Sequence, residues 1–540
     1  MLITSKRGAQ DNIVAYEHIC DTTEDLQNIN PQYITLGSTC IVVQGENGGV
    51  DAYIATSDKQ WVPLGSGSDD GSSEEDTKKY ENSNVRFIDY DGKVVDGYSA
   101  EEFLQLNKMP KNPNHKNDKI PLTAQGWNWS LADIKAYMTK YPDAVMTIGQ
   151  MYIPTDGKTH MVLDVGPRLT IPLMIQQTVS EGVTINWGDG SEEETIEGTG
   201  TVTTSHTYEA EGEYDITLDV ADGCTLDFGG TVNDTACNVF GENAETKHKY
   251  ILPLKKLYVG DNVTSIGGYA FYGCNALASL TIPDGVTSIS GHAFYNCFTL
   301  ISLTIPDSIT SIGGYAFYGC YALISLTIPS SVTSIGNNVF ANCYALSRLA
   351  IPDGITSIED NLCRYCYALS TLNIPDSVVS IGKSAFNGCN ALVSLTISDD
   401  VISIAQSAFN SCNVLVNLTI PDNVTSIDNY VFTNCNSVTA ITIPNGVTSI
   451  GTAAFYNCFA LTSLTIPESV TSISSEAFDF CHSLFTLTIF AETPPTLANV
   501  NAFSGMPADC TIYVPHGKGD VYKADSKWST WASQIQELPE

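Results

Sequence analysis

The sequence is poor in charge, and poorest in positive charge. Only 16% of its 540 residues are charged, and 25 Lys and Arg stand against 60 Asp and Glu, which leaves a formal net charge of -35. A surface of that sign repels nucleic-acid phosphates and anionic lipid headgroups. We therefore expect no nucleic-acid partner and no docking on an anionic membrane.

Long apolar runs are also missing. No stretch approaches the roughly 18 apolar residues of a membrane span, so we expect no membrane insertion. Met1–Gln10 lacks the apolar segment of a standard secretory signal, and Glu537–Glu540 shows no anchor motif. Sustained heptads are missing too, so the sequence leaves a homo-oligomer open without enforcing one through a coiled coil.

What the sequence has instead is a strict internal period. A fixed period in this range indicates a solenoid of stacked units, which makes extended surfaces rather than catalytic pockets. Ten cysteines follow one another at intervals of 23 residues: Cys274, Cys297, Cys320, Cys343, Cys366, Cys389, Cys412, Cys435, Cys458 and Cys481.

This cysteine column predicts buried free thiols. Stacked coils lie roughly 4.8 Å apart, which would permit disulfides, but side chains in one column point the same way rather than at each other. A linear ladder does not converge on a point, as zinc ligands must. Thiols packed as small apolar groups are the simpler interpretation, and we expect no metal and no cofactor.

Each repeat combines two short strands with turns. In the repeat that ends at Cys297, Leu280 and Ile282 show the period of two of a half-buried strand, and Pro283–Gly285 stops that strand. Val286–Ile289 is β-branched and predicts a second short strand, after which a helical or other tight turn closes the coil. One coil buries too little apolar surface to fold alone, so the repeats must stack.

The pattern Leu-x-x-Leu-x-Ile-Pro-x-x-Val-Thr-Ser-Ile-Gly-x-x-Ala-Phe-x-x-Cys closely resembles the BspA-like leucine-rich repeat family over about residues 251–490. The resemblance implies a curved β-solenoid and, in many members, adhesion to a host surface. Cys363 departs from the pattern because it replaces the phenylalanine. That departure predicts either a small cavity or a thiol paired with Cys366.

The chain after the last repeat predicts a cap. Ala502 and Phe503 give a partial coil, Ile512–Pro515 favours a last strand, and Trp528 and Trp531 lie on a helix-like segment. Solenoids need terminal caps to cover the last core layer, so we expect these tryptophans to be structural.

The N-terminal region carries shorter motifs. Residues 1–66 are similar to N-terminal modules of bacteriophage virion proteins, and the similarity includes Leu36–Thr39 and Lys59–Trp61. In those proteins such a module attaches a displayed domain to the particle. The acidic stretch Gly65–Asp76 is typical of a flexible linker. Residues 80–160 are similar to segments that precede BspA-like repeats in gut bacteria and their phages.

A second resemblance rests on Val183–Ser191, which contains Trp-Gly-Asp-Gly, and on Ser205–Tyr208, which contains His-Thr-Tyr. Together they resemble the polycystic-kidney-disease (PKD)-like β-sandwich, an extracellular spacer module. The resemblance implies that these residues build turns and core. Asp189 and His206 have the chemistry of an acid/base pair, but no nucleophile signal accompanies them.

Residues 80–160 also contain acidic and helical signals. Asp89, Asp91 and Asp96 hint at calcium, but they lack the spacing and terminal Glu of an EF-hand. A hairpin turn at Asp91 and Gly92 is the simpler interpretation. Leu131–Tyr141 predicts a helix.

These patterns predict a mainly β, multidomain protein that ends in a ten-repeat solenoid. The predicted domains are a virion-attachment module (1–66), an acidic Gly/Ser linker (67–79), a small α+β domain (80–160), a PKD-like β-sandwich (161–235), BspA-like leucine-rich repeats (236–490) and a C-terminal cap (491–540).

Variable columns of the repeat are the candidates for binding, because invariant columns form the core. Aromatic residues cluster after the phenylalanine and after the cysteine of the first repeats, where exposed rings would stack on sugars or meet a protein partner. Packing of these rings over neighbouring coils is the alternative. The candidate ligand-binding residues are Tyr269, Tyr272, Tyr295, Tyr315, Tyr318, Tyr321, Tyr344 and Tyr367.

The function predicted from these features is non-enzymatic. Adhesin-like modules on a chain without a standard export signal favour a fibre or decoration protein of a phage of gut bacteria. Residues 1–66 would bind other virion proteins, and the repeats would bind a glycan or protein of the host surface. The alternative is a bacterial cell-surface adhesin. A glycan hydrolase needs two carboxylates across a cleft, whereas Asp284, Asp307, Asp353 and Asp376 form one column of turn residues.

Overall fold

The chain forms two compact units in a computed structural model. The N-terminal unit comprises Met1–Ser311 and Gly319–Pro329, and the C-terminal unit comprises Ile312–Tyr318 and Ser330–Glu540. The structure describes residues 2–5, 16–22, 39–44, 51–55, 61–63, 83–88, 94–111, 122–127, 131–140, 146–167, 169–232, 235–240 and 254–540. The predicted linker 67–79 and the predicted turn at Asp91 and Gly92 lie outside these ranges.

The N-terminal unit begins with a five-stranded sheet in sequential order. Neighbouring strands pair antiparallel except β2 and β3, which are parallel. The strands are β1 (Leu2–Ser5), β2 (Tyr16–Thr22), β3 (Thr39–Gln44), β4 (Asp51–Ala55) and β5 (Trp61–Pro63). These five strands agree with the predicted mainly β class of the protein.

Next comes a small α+β arrangement with strand order β7-β6-β9-β8. Its core joins Phe87 of the sheet to Phe103 and Met138 of the two helices, and all three are fully buried. The capping box of Ser99 and Glu102 starts the first helix. The elements are β6 (Val85–Ile88), β7 (Val94–Tyr98), α1 (Ala100–Leu104), β8 (Leu122–Trp127), α2 (Leu131–Lys140) and β9 (Met146–Pro154).

Two further sheets follow. One has the order β13-β12-β15-β10 and the other the order β14-β11-β16. Trp187 and Tyr208 are buried, and the Tyr208 hydroxyl donates to the Trp187 carbonyl at 3.0 Å. The strands are β10 (Thr159–Val165), β11 (Thr170–Gln177), β12 (Val183–Asn186), β13 (Glu194–Thr195), β14 (Gly200–Thr207), β15 (Gly212–Val220) and β16 (Leu226–Phe228), followed by the hairpin β17 (Gly230–Val232) and β18 (Thr235–Cys237).

The sheet that contains β10 continues into the repeats without a break. Strand β19 (Leu254–Tyr258) pairs antiparallel with β10 and parallel with Ser279–Thr281, the first repeat strand. The junction is close-packed, because a Cβ on Gly260 would lie 2.6 Å from the Gly157 carbonyl oxygen. The preceding β domain therefore covers the N-terminal end of the solenoid, which needs such a cap.

The repeats stack in register, one coil on the next. Within the N-terminal unit, Leu280 pairs with Leu303 and Leu303 with Leu326, which reproduces the 23-residue period. The longer strand of each coil lies at Ser279–Thr281, Ser302–Thr304, Ser325–Thr327, Arg348–Ala350, Thr371–Asn373, Ser394–Thr396, Ala440–Thr442, Ser463–Ile466 and Thr486–Ile489. The shorter strand lies at Ser288–Ile289, Ser311–Ile312, Ser334–Ile335, Ser357–Ile358, Ser380–Ile381, Ser403–Ile404, Ser426–Ile427, Ser449–Ile450, Ser472–Ile473 and Thr496–Leu497.

Turns rather than a helix close each coil. Through Tyr269, Phe271 and Gly273, alternate N–H groups donate to the next coil, at Gly291, Ala293 and Tyr295. The N–H groups between them close tight turns on residues three positions earlier. Every second backbone amide thus bonds between coils, so the turn segment adds to the stacking of the strands.

Phenylalanine and cysteine columns fill the core of the C-terminal unit. Successive rings from Phe386 to Phe503 stack at centroid distances of 5.1 to 5.8 Å. The thiol of Cys343 donates to the Phe317 carbonyl oxygen at 3.2 Å, and other thiols repeat this contact. All thirteen cysteines whose side chains are described are buried and free, so the predicted thiol ladder is confirmed.

The last repeat is covered as predicted. The ring of Trp528 is fully buried 5.6 Å from that of Phe503, and its indole N–H donates to the Pro495 carbonyl at 2.9 Å. The elements here are a 3-10 helix (Val500–Phe503), a strand (Thr511–Val514), helix α3 (Gly519–Ala524), a 3-10 helix (Trp528–Trp531) and a parallel strand (Ile535–Glu537). The predicted fold class, mainly β with a β-solenoid, is confirmed, and the solenoid has about 12 turns.

Candidate binding surface

Two of the predicted tyrosines, Tyr269 and Tyr315, lie at a left-handed backbone position. The residue five positions before the cysteine has a positive φ in all ten repeats, including 63° at Tyr269 and 61° at Tyr315. A non-glycine residue seldom adopts this conformation. The phenylalanine three positions before the cysteine points into the core, as fully buried Phe271 shows, whereas Tyr272, the residue after it, is half-buried.

Four rings of the N-terminal unit form one array. Tyr269 stacks on His292 at 4.5 Å, and Tyr272 stacks on Tyr295 at 4.7 Å, each pair within 8° of parallel. Across the pairs, the rings of Tyr269 and Tyr272 lie 5.7 Å apart and those of His292 and Tyr295 5.6 Å apart. We call these four residues the ring array. Three of its members were predicted, and His292 was not.

Tyr315 and Tyr318 repeat the arrangement inside the C-terminal unit. Their rings lie 5.7 Å apart with an interplanar angle of 43°, and both residues are half-buried. They occupy the same two columns as Tyr269 and Tyr272. The columns therefore place paired aromatic side chains on the surface wherever the sequence supplies them.

The column after the cysteine behaves differently from the prediction. Tyr321 is buried against Phe298 at 4.6 Å, and Tyr344 is buried against Tyr367 at 5.2 Å, so the expected exposure of this column was wrong for both. Tyr367 is half-buried. Packing over the neighbouring coil explains Tyr321 and Tyr344, because a ring at this position reaches the equivalent ring 23 residues away.

The geometry of the ring array decides which contacts it can make. Each ring covers one face of its partner and all four residues are half-buried, so a ligand would mainly meet ring edges. Burial lowers the pKa of the His292 imidazole, which keeps this ring neutral near pH 7. The ring array is therefore an uncharged aromatic surface suited to apolar and edge-on contacts.

The side chains of Asp189 and His206 link a turn to strand β14. Asp189 Oδ2 lies 2.7 Å from His206 Nε2, and the imidazole stacks on Trp187 at 5.0 Å. Burial raises the pKa of Asp189, but hydrogen bonds from Ser191 and His206 outweigh it and bring the value to about 2. The carboxylate thus stays ionised and holds the turn to β14.

A buried histidine that the sequence did not reveal lies on β10. His160 is 3% exposed, its Nδ1 lies 3.0 Å from Asp215 Oδ2 and its Nε2 lies 3.1 Å from Asp156 Oδ2. Burial lowers the pKa of this imidazole, but the two carboxylates outweigh it and the net shift is upward. Only the four-residue spacing from Asp156 was visible in the sequence, because Asp215 arrives through strand pairing.

Other candidate chemistry is sparse in the described part of the chain. Asp96 accepts hydrogen bonds from the Gly97 N–H and the Tyr98 hydroxyl, while Asp89 and Asp91 lie outside the described residues. Among the residues described, no three His, Cys, Asp or Glu side chains converge as metal ligands. The described helices are all too short or too polar to cross a bilayer.

Taken together, the in-register coils and the buried Leu, Ile, Phe and Cys columns define a leucine-rich-repeat solenoid in this part of the chain. Residues 246–370 and 356–485 match the family described as BspA type leucine rich repeat region, in six copies. This part of the chain therefore carries BspA-type repeats, in agreement with the resemblance seen in the sequence. No curated protein matches the chain.

Several solved structures are similar to this chain. A leucine-rich repeat protein from Bacteroides ovatus is 23% identical, covers 58% of this chain and 91% of its own, and has a TM-score of 0.43. A leucine rich cell surface protein from Faecalibacterium prausnitzii is 25% identical over 52% of this chain and 94% of its own, with a TM-score of 0.28. The T. pallidum leucine rich repeat protein is 27% identical, covers 30% of this chain and 78% of its own, and has a TM-score of 0.28.

Proposed function

We propose that this chain is a non-enzymatic adhesion protein whose repeats bind a host-cell surface, mucus or a glycan. The observation that carries the proposal is the ring array, an aromatic surface that lies on variable columns of the solenoid. Aromatic side chains supply much of the contact energy in protein recognition. The exposed turn carboxylates, such as Asp284 and Asp307, suit solvated turns better than a catalytic cleft.

The setting that we propose is a bacterial cell surface, with the BspA-type repeats as the adhesive part and residues 161–235 as a PKD-like spacer. A phage virion is the second candidate, and it is carried by the similarity of Leu36–Thr39 and Lys59–Trp61 to virion modules. In that setting residues 1–66 would attach the chain to the particle. Immunogold microscopy of the producing culture separates the two, since gold would label either envelopes or particles.

The adhesion itself is tested with the full chain on mucin-coated surfaces and on an array of host glycans. A monovalent antibody fragment against residues 254–329 should abolish retention, because it covers the ring array. A fragment against residues 1–66 is the matched control and should leave retention unchanged. Retention that neither fragment affects would contradict adhesion through the repeats.

A further inference from the structure

A second aromatic cluster lies on the last two repeats. The rings of Tyr456 and Phe480 lie 5.3 Å apart, those of Phe480 and His482 5.5 Å apart, and those of Phe459 and His482 6.2 Å apart. Phe459 is 43% exposed and Phe480 is 41% exposed. We call these four residues the terminal cluster. Contiguous exposed apolar patches are typical of interaction sites.

Phe480 occupies a position that disfavours its own side chain. The residue just before the cysteine is left-handed in every repeat, and φ is 60° at Phe480. Glycine, asparagine or serine fills this column in eight of the ten repeats, and only Tyr365 and Phe480 are aromatic. A bulky side chain in the left-handed region is uncommon, and such backbone outliers cluster at functional sites.

Tyr365, the other aromatic residue of this column, binds a guanidinium group on its ring face. The Arg364 guanidinium carbon lies 4.5 Å from the Tyr365 ring centroid, and Arg364 Nη2 donates to the Tyr365 hydroxyl at 2.8 Å. At Phe480 the equivalent preceding residue is Asp479. The repeat that contains Phe480 therefore has no arginine in the position that Arg364 occupies beside Tyr365.

The surrounding sequence adds no cation. Residues 384–517 contain no Lys or Arg and nine Asp or Glu. Cations are attracted to aromatic faces, and an acidic surface steers basic partners toward itself. Charge complementarity at the terminal cluster therefore favours a guanidinium from another molecule.

We infer that the terminal cluster binds an arginine-bearing segment of a partner protein, in the manner in which Arg364 covers Tyr365. The arginine stacks on Phe480. Phe459 and His482 extend the apolar contact. This surface is separate from the ring array, and it does not depend on what the ring array binds.

The test is isothermal titration of the full chain with an eight-residue peptide of alternating Arg and Gly, at 0.15 M salt to screen long-range attraction. A peptide with Gln in place of Arg is the first control. Phe480→Asn introduces the residue found in this column at Asn434 and Asn457 and should weaken Arg-peptide binding about fivefold or more. Phe485→Asn, which removes another exposed ring outside the cluster, should change it less than about twofold.

Phe480→Asn should also fold at least as stably as the wild type, because asparagine tolerates the left-handed backbone. If that variant fails to fold, Phe459→Asn replaces it, since Asn413 and Asn436 occupy the same column. The proposal is overturned if the Arg peptide does not bind, or if the Gln peptide binds equally well. Equal binding by wild type and Phe480→Asn would show attraction to net charge only. A dimer that Phe480→Asn dissolves, seen by light scattering, would mean that the cluster pairs two copies.

Discussion

At the residue scale, burial and local charge decide the chemistry of individual side chains. Burial raises the pKa of the Cys297 and Cys320 thiols well above the ordinary value, so both stay protonated and inert. His160 is the opposite case, because carboxylates on both sides favour its charged form. Neither group lies in the ring array, so both are expected to affect stability rather than binding.

The thiol ladder should be silent toward alkylation in the native state. We expect iodoacetamide to leave the ten column cysteines unmodified at pH 8, because a protonated buried thiol is a poor nucleophile. In denaturant the same cysteines should react fully. Mass spectrometry of the digested protein measures both states, and rapid native labelling at Cys343 or Cys389 would contradict the buried ladder.

His160 should stabilise its sheet in a pH-dependent manner. Its folded pKa is raised above the ordinary value near 6.5, so the contribution is complete below that pH and is lost as the pH rises through the folded value. The protection factors of the β10 amides against hydrogen exchange, taken as the ratio of wild type to His160→Gln at each pH, cancel the intrinsic pH dependence of exchange. The ratio should be larger at pH 5.5 than at pH 9, and a ratio independent of pH would be inconsistent with a charged His160.

At the element scale, stacking between coils is the main source of stability. A repeat contacts only its neighbours, so each ring in the phenylalanine column belongs to two interfaces. Phe409 stacks on Phe386 at 5.5 Å and on Phe432 at 5.8 Å. Cys363 interrupts the same column and is fully buried as a free thiol.

Phe409→Ala should therefore destabilise the C-terminal unit by about 3–5 kcal/mol, since it removes a buried ring from two interfaces at once. Guanidinium titration of the full chain, followed by far-UV circular dichroism, measures the change. Phe485→Ala removes a ring of the same size that is 49% exposed and should cost less than about 0.5 kcal/mol. Equal losses in the two variants would refute the stacking account.

The repeat elements were predictable from the sequence at positions where one residue type recurs for one structural reason. The Leu and Ile positions of each strand, the thiol column and the tryptophan cap followed from periodicity and burial. The turn segment was less predictable, because Tyr269, Asn338 and Ala453 share one left-handed backbone although their side chains differ. Tyr321 and Tyr344 were misassigned to the surface for a related reason, since one column exposes some rings and buries others.

At the scale of the whole molecule, sheets that differ in sequence pattern join into one framework within the N-terminal unit. Strand β10 pairs with β15 on one side and with β19 on the other, so the β domain and the first coil share a sheet. This junction could not be predicted from the repeat alone, because β10 lies outside the repeat. It joins the β domain to the first coils, which carry the ring array, through strand pairing.

The central claim, that the ring array mediates adhesion, is tested most directly by a matched pair of variants in one column. Tyr269→Asn breaks the ring array, whereas Tyr430→Asn changes a residue with the same backbone conformation, φ 63° and 60° respectively, in a later repeat. Retention of the full chain on mucin-coated surfaces should fall about fivefold or more for Tyr269→Asn and stay unchanged for Tyr430→Asn. Equal retention by wild type and both variants would contradict adhesion through the ring array.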